Sequence, residues 1–272
     1  MRKLAELIIQ VRGGGEVGSA IAHRLFRSHF RVCITEVASP LAVSRGTCFS
    51  EAIYDIAKTI EGVTGERALP SLEHIYRVWR EDKIPVVVDP ELSIKPMIRP
   101  DVLINAMMLK RETTARLADA ALVIGIGPGF TAGVDVHVII ESNHSNDLGK
   151  VIMKGKSEEN TGKPAEIGGL STERVFWAEE AGVFTTARNI GEMVKAGDII
   201  GQLGAVPLIA PVSGMLRGLL RNEVRVLANA KLIEIDPVND PSVCFSIRGK
   251  MRAIAGGVLE AVMQQFNIPE SG

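Results

Sequence analysis

The chain has 272 residues, of which 46% are apolar and 23% charged; this mix suits a soluble globular protein of one large or two ordinary domains. The 31 basic and 32 acidic residues nearly cancel, so the basic excess of a nucleic-acid binder is missing, and aromatics at 4% give no stacking platform for single strands. No apolar run reaches the roughly 18 residues of a membrane span, and Cys33, Cys48 and Cys244 form no CxxC pair, which argues against a disulfide framework or zinc knuckle.

Near the start, Glu6 and Gln10 interrupt any signal-like apolar core. A cytoplasmic protein without nucleic-acid or membrane partners is expected; association with further copies of itself is left open. Leu7-Ile-Ile-Gln-Val11 is a short β-branched run ending in glycines, and it predicts a strand. Beyond the glycines, Val17, Ala20, Ile21 and Leu25 recur at helical spacing. Arg31-Val-Cys-Ile-Thr-Glu36 predicts the next strand, and a helix is expected over about 70–82, with Leu72, Ile75, Tyr76 and Trp79 on it. Continuous apolar runs at 84–89, 101–105 and 121–126 read as strands buried on both faces of a parallel sheet. The expected fold class is α/β. A Rossmann-like parallel-sheet domain over 1–142 precedes a small β module over 143–240, and a C-terminal strand and helix over 241–272 pack back on the first domain.

The sharpest local signal is Gly13-Gly14-Gly15-Glu16-Val17-Gly18. Gly13, Gly15 and Gly18 match G-x-G-x-x-G between a strand and a helix. In that context the first glycine permits the turn, the second lets a pyrophosphate approach the backbone, and the third allows close helix–strand packing. The helix start then offers N–H groups and partial positive charge to an anion. Glu36 ends the second strand eighteen residues after Gly18, where a carboxylate can accept ribose hydroxyls. The plain alternative is a glycine turn that binds nothing, with Glu36 a solvated charge.

A second cluster, Gly125-Ile-Gly127-Pro128-Gly129-Phe130, also follows an apolar run. It reads either as a second wall of the same crevice or as a tight connection leaving the sheet. Asp135, His137 and Glu141 alternate like one face of a strand. They are weak metal candidates, and the ordinary polar face of a half-buried strand is favoured, so no metal is expected. Arg99, Lys110 and Arg111 could touch phosphate, with a solvated surface the default. No nucleophile elbow, P-loop or HExxH is present.

The second half contains an internal repeat. Gly182, Val194 and Ala196 recur as Gly214, Val226 and Ala228, each 32 residues on. Each copy reads as strand, turn, strand. Val194-Lys-Ala-Gly-Asp-Ile-Ile-Gly201 followed by Ile209-Ala-Pro-Val-Ser-Gly214 resembles the biotinyl/lipoyl-type barrel-sandwich hybrid over about 180–237. Carriers of that type have a lysine at the hairpin between the halves. This chain has Gly204-Ala-Val-Pro207 there, so no lipoyl or biotin is expected and a docking module is the better reading. Residues 141–180 are polar and glycine-rich, as in a linker. From about 249, Met251, Ile254, Ala255, Val258, Leu259 and Val262 make a full apolar helical stripe.

Several phrases together resemble the selenium-dependent molybdenum hydroxylase system proteins of the YqeB family. They are Gly13-Gly-Gly-Glu-Val-Gly18, Phe49-Ser-Glu-Ala-Ile-Tyr54, Ile124-Gly-Ile-Gly-Pro-Gly-Phe130, Asn160-Thr-Gly-Lys-Pro164, Ile235-Asp-Pro237 and Arg252-Ala-Ile-Ala-Gly-Gly-Val-Leu-Glu-Ala261. The resemblance runs from about 5 to 266. It implies an accessory or maturation factor working beside a molybdenum hydroxylase or its maturation machinery. The family pattern has Asp where this chain has Asn105, and Arg-Gly-His where this chain has His144-Ser145-Asn146, so no ionic role is carried over to those positions. The suspected cofactor is a nucleotide or dinucleotide, NAD-like or a molybdopterin dinucleotide. An NAD-dependent oxidoreductase and a non-catalytic scaffold or docking protein are the alternatives.

Overall fold

A computed structural model of the chain describes residues 3–109, 115–164, 166–238 and 240–268. They form two compact units. One takes in Met1–Pro40, Cys48–Asn160 and Ile247–Gly272; the other takes in Leu41–Thr47 and Thr161–Ser246.

The first unit is built on a nine-stranded sheet. Its strands are β1 (Ile8–Arg12), β2 (Arg31–Glu36), β3 (Ala57–Ile60), β4 (Val63–Ala68), β5 (Ile84–Val88), β6 (Val102–Asn105), β7 (Leu122–Ile126), β8 (Val138–Ile140) and β9 (Val151–Ile152). Their order is β3-β4-β5-β2-β1-β6-β7-β8-β9. The inner strands from β4 to β8 run parallel, while β3 and β9 pair antiparallel at the two edges. The sheet is therefore mixed, where the apolar runs alone predict a parallel one. The edge hairpins come from local turn chemistry. Between β3 and β4, Glu61 and Gly62 both take positive φ (43° and 82°), the geometry of a two-residue hairpin turn.

The helices are α1 (Glu16–Arg27), α2 (Ala52–Asp55), α3 (Leu72–Arg80), α4 (Lys95–Ile98) and α5 (Gly249–Phe266). One sheet face, with Ile9, Val11, Ile34, Ile104, Ile124 and Ile140, shares a core with Ile21 and Leu25 of α1 and Ile254 and Val258 of α5. The other face puts Ile8, Cys33 and Val87 against Ile75, Val78 and Ile98 of α3 and α4. Ser71 caps α3 by accepting from the His74 N–H at 3.4 Å. Trp79 of α3 donates from Nε1 to the Val32 carbonyl at 2.7 Å, which pins that helix to β2. In α5, Gly257 is a contact surface: a Cβ there would lie 2.0 Å from the Gly149 carbonyl oxygen. Glycine lets the helix lie directly on the turn between β8 and β9.

The second unit has strands β10 (Val175–Trp177), β11 (Gly182–Thr185), β12 (Met193–Val194), β13 (Ile199–Leu203), β14 (Val206–Ile209), β15 (Gly214–Leu219), β16 (Val224–Val226) and β17 (Lys231–Asp236). They make two antiparallel sheets, β10-β17-β15-β12 and β14-β13-β11-β16. The 32-residue repeat governs the pairing. Strand β11 pairs with its own half's β13 and the other half's β16; its counterpart β15 pairs with β17 and β12. Each half thus completes the other's sheet, which is why neither copy can bury its apolar face alone. Residues 41–47 join this unit. The Val43 carbonyl accepts from Leu219 N–H at 2.9 Å, Arg45 Nε donates to the Leu219 carbonyl at 2.6 Å, and Ser44 Oγ accepts from buried Arg217 at 2.8 Å. Among the described residues, no helix is long and apolar enough to cross a membrane.

Candidate functional site

The glycine turn sits between β1 and α1, on the face that α1 covers. Gly13 has φ +99°, a conformation an L side chain adopts only with strain. Gly18 faces inward: a Cβ there would lie 1.9 Å from the Gly13 carbonyl oxygen, so the first turn of α1 rests on the end of β1. Ser19 ties the loop together. Its Oγ donates to the Gly14 carbonyl at 2.8 Å and accepts from Phe49 N–H at 2.7 Å. The Gly14 carbonyl also accepts from Ser50 N–H at 2.9 Å. Gly15 differs from its neighbours: nothing lies within 4 Å of where its Cβ would be. Gly15 is the N-cap of α1, so this opening lies where the helix presents its first-turn N–H groups, with Glu16 and Val17 at the start of that turn.

Glu36 is brought to this turn. Its Oε2 accepts from Gly14 N–H and its Oε1 from Val37 N–H, each at 2.8 Å. Burial pushes its carboxyl above the ordinary range, outweighing the two N–H groups that pull it down.

The second glycine loop is elsewhere and is filled. Strand β6 separates β7 from β1, so the loops after β1 and β7 do not flank each other. A Cβ on Gly13 would meet instead the Ala106 carbonyl, at 3.1 Å, in the segment after β6. Phe130 is buried, and its ring occupies the space above Gly125: a Cβ there would lie 2.6 Å from ring carbons. Gly127 has φ +68°, and a Cβ on it would lie 2.1 Å from Ser142 Oγ. Gly129 also takes positive φ, at 108°. Asp135 Oδ2 closes the loop by accepting from Thr131 N–H at 2.7 Å.

Asp135, His137 and Glu141 do not converge. Strand β8 starts only at Val138, so the alternation predicted from sequence falls mostly outside it. His137 Nδ1 accepts from Val123 N–H at 2.9 Å. Glu141 is buried, and its two oxygens accept from the N–H groups of Ser142, Asn143 and Glu158 at 2.7–2.8 Å. Each side chain holds backbone, and no set of three His, Cys, Asp or Glu suited to a metal forms among the described residues. Arg99 is exposed after α4; Lys110 and Arg111 lie outside the described residues. Exposed His144 donates its backbone N–H to Asn143 Oδ1 at 2.9 Å, and Ser145 Oγ donates to Glu158 Oε1 at 3.0 Å.

Sequence reasoning missed a polar row on the opposite sheet face. Register sets Gln10 beside Cys33 and Leu103, and Arg12 beside Thr35 and Asn105. The Gln10 amide, Arg12 Nε, Thr35 Oγ1 and Asn105 Nδ2 are buried without hydrogen-bond partners. Each such group costs about 1–3 kcal/mol relative to a satisfied one. A cavity of about 220 Å³ opens beside this row, lined in part by Arg12, Asn105, Lys95 and Arg116. The available signal was the appearance of Gln, Arg, Thr and Asn in central strands that are otherwise apolar.

Comparison with known proteins gives one close sequence relative. The chain is 38% identical over 256 residues to the uncharacterized protein YqeB of Escherichia coli (strain K12), covering 94% of this chain and 47% of that protein. This match supports a YqeB-family relationship. The chain spans about half the length of that curated relative. No family model matches the chain. Among solved structures, product-bound ectoine utilization protein EutE (DoeB) from Ruegeria pomeroyi aligns at 10% identity and TM-score 0.26 over 86% of each chain. An aspartoacylase family protein from Mesorhizobium loti aligns at 12% identity and TM-score 0.27, again over 86% of each chain. Likenesses at these TM-scores carry no conclusion about fold or activity.

Proposed function

We propose that the first unit binds the phosphate of a nucleotide or of a nucleotide-bearing cofactor at the Gly13–Gly18 turn, and that the protein serves as an accessory factor in the maturation of a selenium-dependent molybdenum hydroxylase. The observation that carries the binding reading is the open space at Gly15 over the N-terminus of α1, in a turn whose other glycines are enclosed. A phosphate there meets N–H groups and the positive end of the helix dipole without needing a basic patch, in keeping with the chain's near-zero net charge. Glu36 lies beside the turn, where a carboxyl can accept from a ribose hydroxyl. The likeness to YqeB and the family phrases in the sequence support the accessory role. We read the first unit as Rossmann-like and the second as an unmodified barrel-sandwich hybrid used for docking, because its two halves exchange strands and Gly204–Pro207 lacks an attachment lysine.

Titration calorimetry with NAD, ATP, CTP and a molybdopterin dinucleotide tests the binding reading. At least one should bind with a micromolar dissociation constant, and Gly15→Val should weaken it at least tenfold while leaving the protein folded, with only the modest loss of stability that a poorer N-cap brings. No binding by any of the four to folded protein overturns the reading.

A further inference from the structure

The cavity on the sheet face opposite α1 is built differently from the glycine turn. It lies at the carboxyl ends of β1 and β6. In chain order the connections run from β1 to β2 on one side, and β6 lies on the other, so this is the switch point of the parallel strands, where a crevice forms. Arg12 ends β1 and Asn105 ends β6, and the register makes them direct neighbours. Arg12 spends one terminal nitrogen on the Pro90 carbonyl at 3.1 Å, and its Nε has no partner. Asn105 is only 4% exposed, and its Nδ2 has no partner either. Two register neighbours that both line the cavity therefore each carry an unmet N–H donor.

The charges of the lining favour the same chemistry. Lys95 and Asp119 form an ion pair, and Asp119 also accepts from Arg116 N–H at 2.9 Å. Asp119 is thereby neutralised locally. Of the lining charges, Arg12, Lys95 and Arg116 outnumber Glu91 and Asp119 by one. Apolar Leu103 and Val123 are also part of the lining, and an apolar wall strengthens any charge-assisted hydrogen bond made beside it. The volume, about 220 Å³, is below that of a drug-sized ligand pocket and admits a small group.

We propose that this cavity is a binding site for a small oxyanion, a carboxylate or phosphoryl group, held by Arg12 Nε–H and the Asn105 amide. Its two donors point from the sheet face opposite α1, one residue before the glycine turn at Gly13 and one residue before Ala106, which packs on that turn. A half-buried arginine whose Nε is enclosed, beside a buried amide donor, matches an acceptor-only ligand, because Arg12 Nε and Asn105 Nδ2 can only donate. Asn105 also explains why an uncharged residue suffices here: it donates to the ligand and leaves the charge to Arg12.

The test is titration of Gly15→Val protein, in which binding at the glycine turn is weakened, with inorganic phosphate and separately with succinate, against potassium chloride at matched ionic strength. Saturable binding of phosphate, of succinate or of both, with a rise in unfolding temperature absent in chloride, supports the site; the arm that responds tells phosphoryl from carboxylate. Asn105→Leu should abolish the response while the protein stays folded, since it removes the unmet Nδ2 donor at similar volume and gives up only the long 3.5 Å bond from Met107 N–H to Asn105 Oδ1. Arg12→Gln should lower affinity at least tenfold, while Arg12→Lys, which keeps the charge but loses Nε, should recover less than a third of it. No saturable response to either anion overturns the proposal and leaves nucleotide binding at the glycine turn untouched. A response retained in both Asn105→Leu and Arg12→Gln also overturns it.

Discussion

The two glycine loops of the first unit are alike in sequence and opposite in space. Both follow an apolar parallel strand, and both place glycines at alternate positions. Around Gly15 the space beside the backbone is open; around Gly125 and Gly127 it is taken by Phe130 and Ser142. A glycine can be needed so that a ligand approaches, or so that the protein's own side chain does. The spacing of glycines does not separate these cases, because both require only the absence of a Cβ.

That comparison can be broken by substitution. The largest expected effect is Phe130→Ala, which empties the packed loop; it should cost about 3–5 kcal/mol in urea unfolding and leave the dissociation constant of the bound nucleotide within twofold. A loss below about 1 kcal/mol would mean that the second loop is as open as the first. Next, Gly18→Ala forces a methyl against the Gly13 backbone carbonyl, which cannot swing away as a side chain could. A destabilisation of about 2 kcal/mol is expected from the same measurement.

Glu36→Gln is smaller and depends on pH. One carboxylate oxygen becomes an amide that cannot accept, so about 1 kcal/mol is lost with one of the two N–H bonds. The sign follows from the raised carboxyl. The folded protein holds this proton more tightly than the unfolded chain does. The associated stability is therefore full below the unfolded carboxyl value and is lost as pH rises through the folded one. Thermal unfolding from pH 4 upward should show wild type losing more stability than Glu36→Gln just above the ordinary carboxylate range. A parallel pair of curves would show that Glu36 is not buried against the turn. The smallest effect on stability is Gly15→Ala, expected at about 0.5–1 kcal/mol, since alanine is a poorer N-cap than glycine while the new methyl meets nothing.

Much of the first unit was legible because its strands are short continuous apolar runs. Those predicted from 7, 31, 84, 101 and 121 match β1, β2, β5, β6 and β7 to within one or two residues. The stripe on α5 was also plain: Ile254, Ala255, Val258 and Val262 are all buried. The hairpin of β3 and β4 was not, since Ala57–Ala68 carries Lys58, Thr59, Thr64, Glu66 and Arg67 and has the polarity of an edge. Nor was the attachment of residues 41–47 to the second unit, because it rests on backbone groups and on the hydroxyl of Ser44 meeting a distant arginine.

The same division holds at the candidate sites. By itself the sequence determined that a strand, a glycine turn and a helix follow one another at Gly13–Gly18, and that two copies of a strand pair recur 32 residues apart, because both depend on local geometry and short spacing. Only the tertiary structure decided that Glu141 holds three backbone N–H groups, that Gly15 opens outward while Gly125 is covered, and that Arg12 and Asn105 stand together. The last depends on strand order and register, which set residues 93 positions apart side by side; the others depend on how each loop folds back on itself, bringing Ser142, Asn143 and Glu158 to Glu141 and the Phe130 ring onto Gly125, which no local pattern encodes.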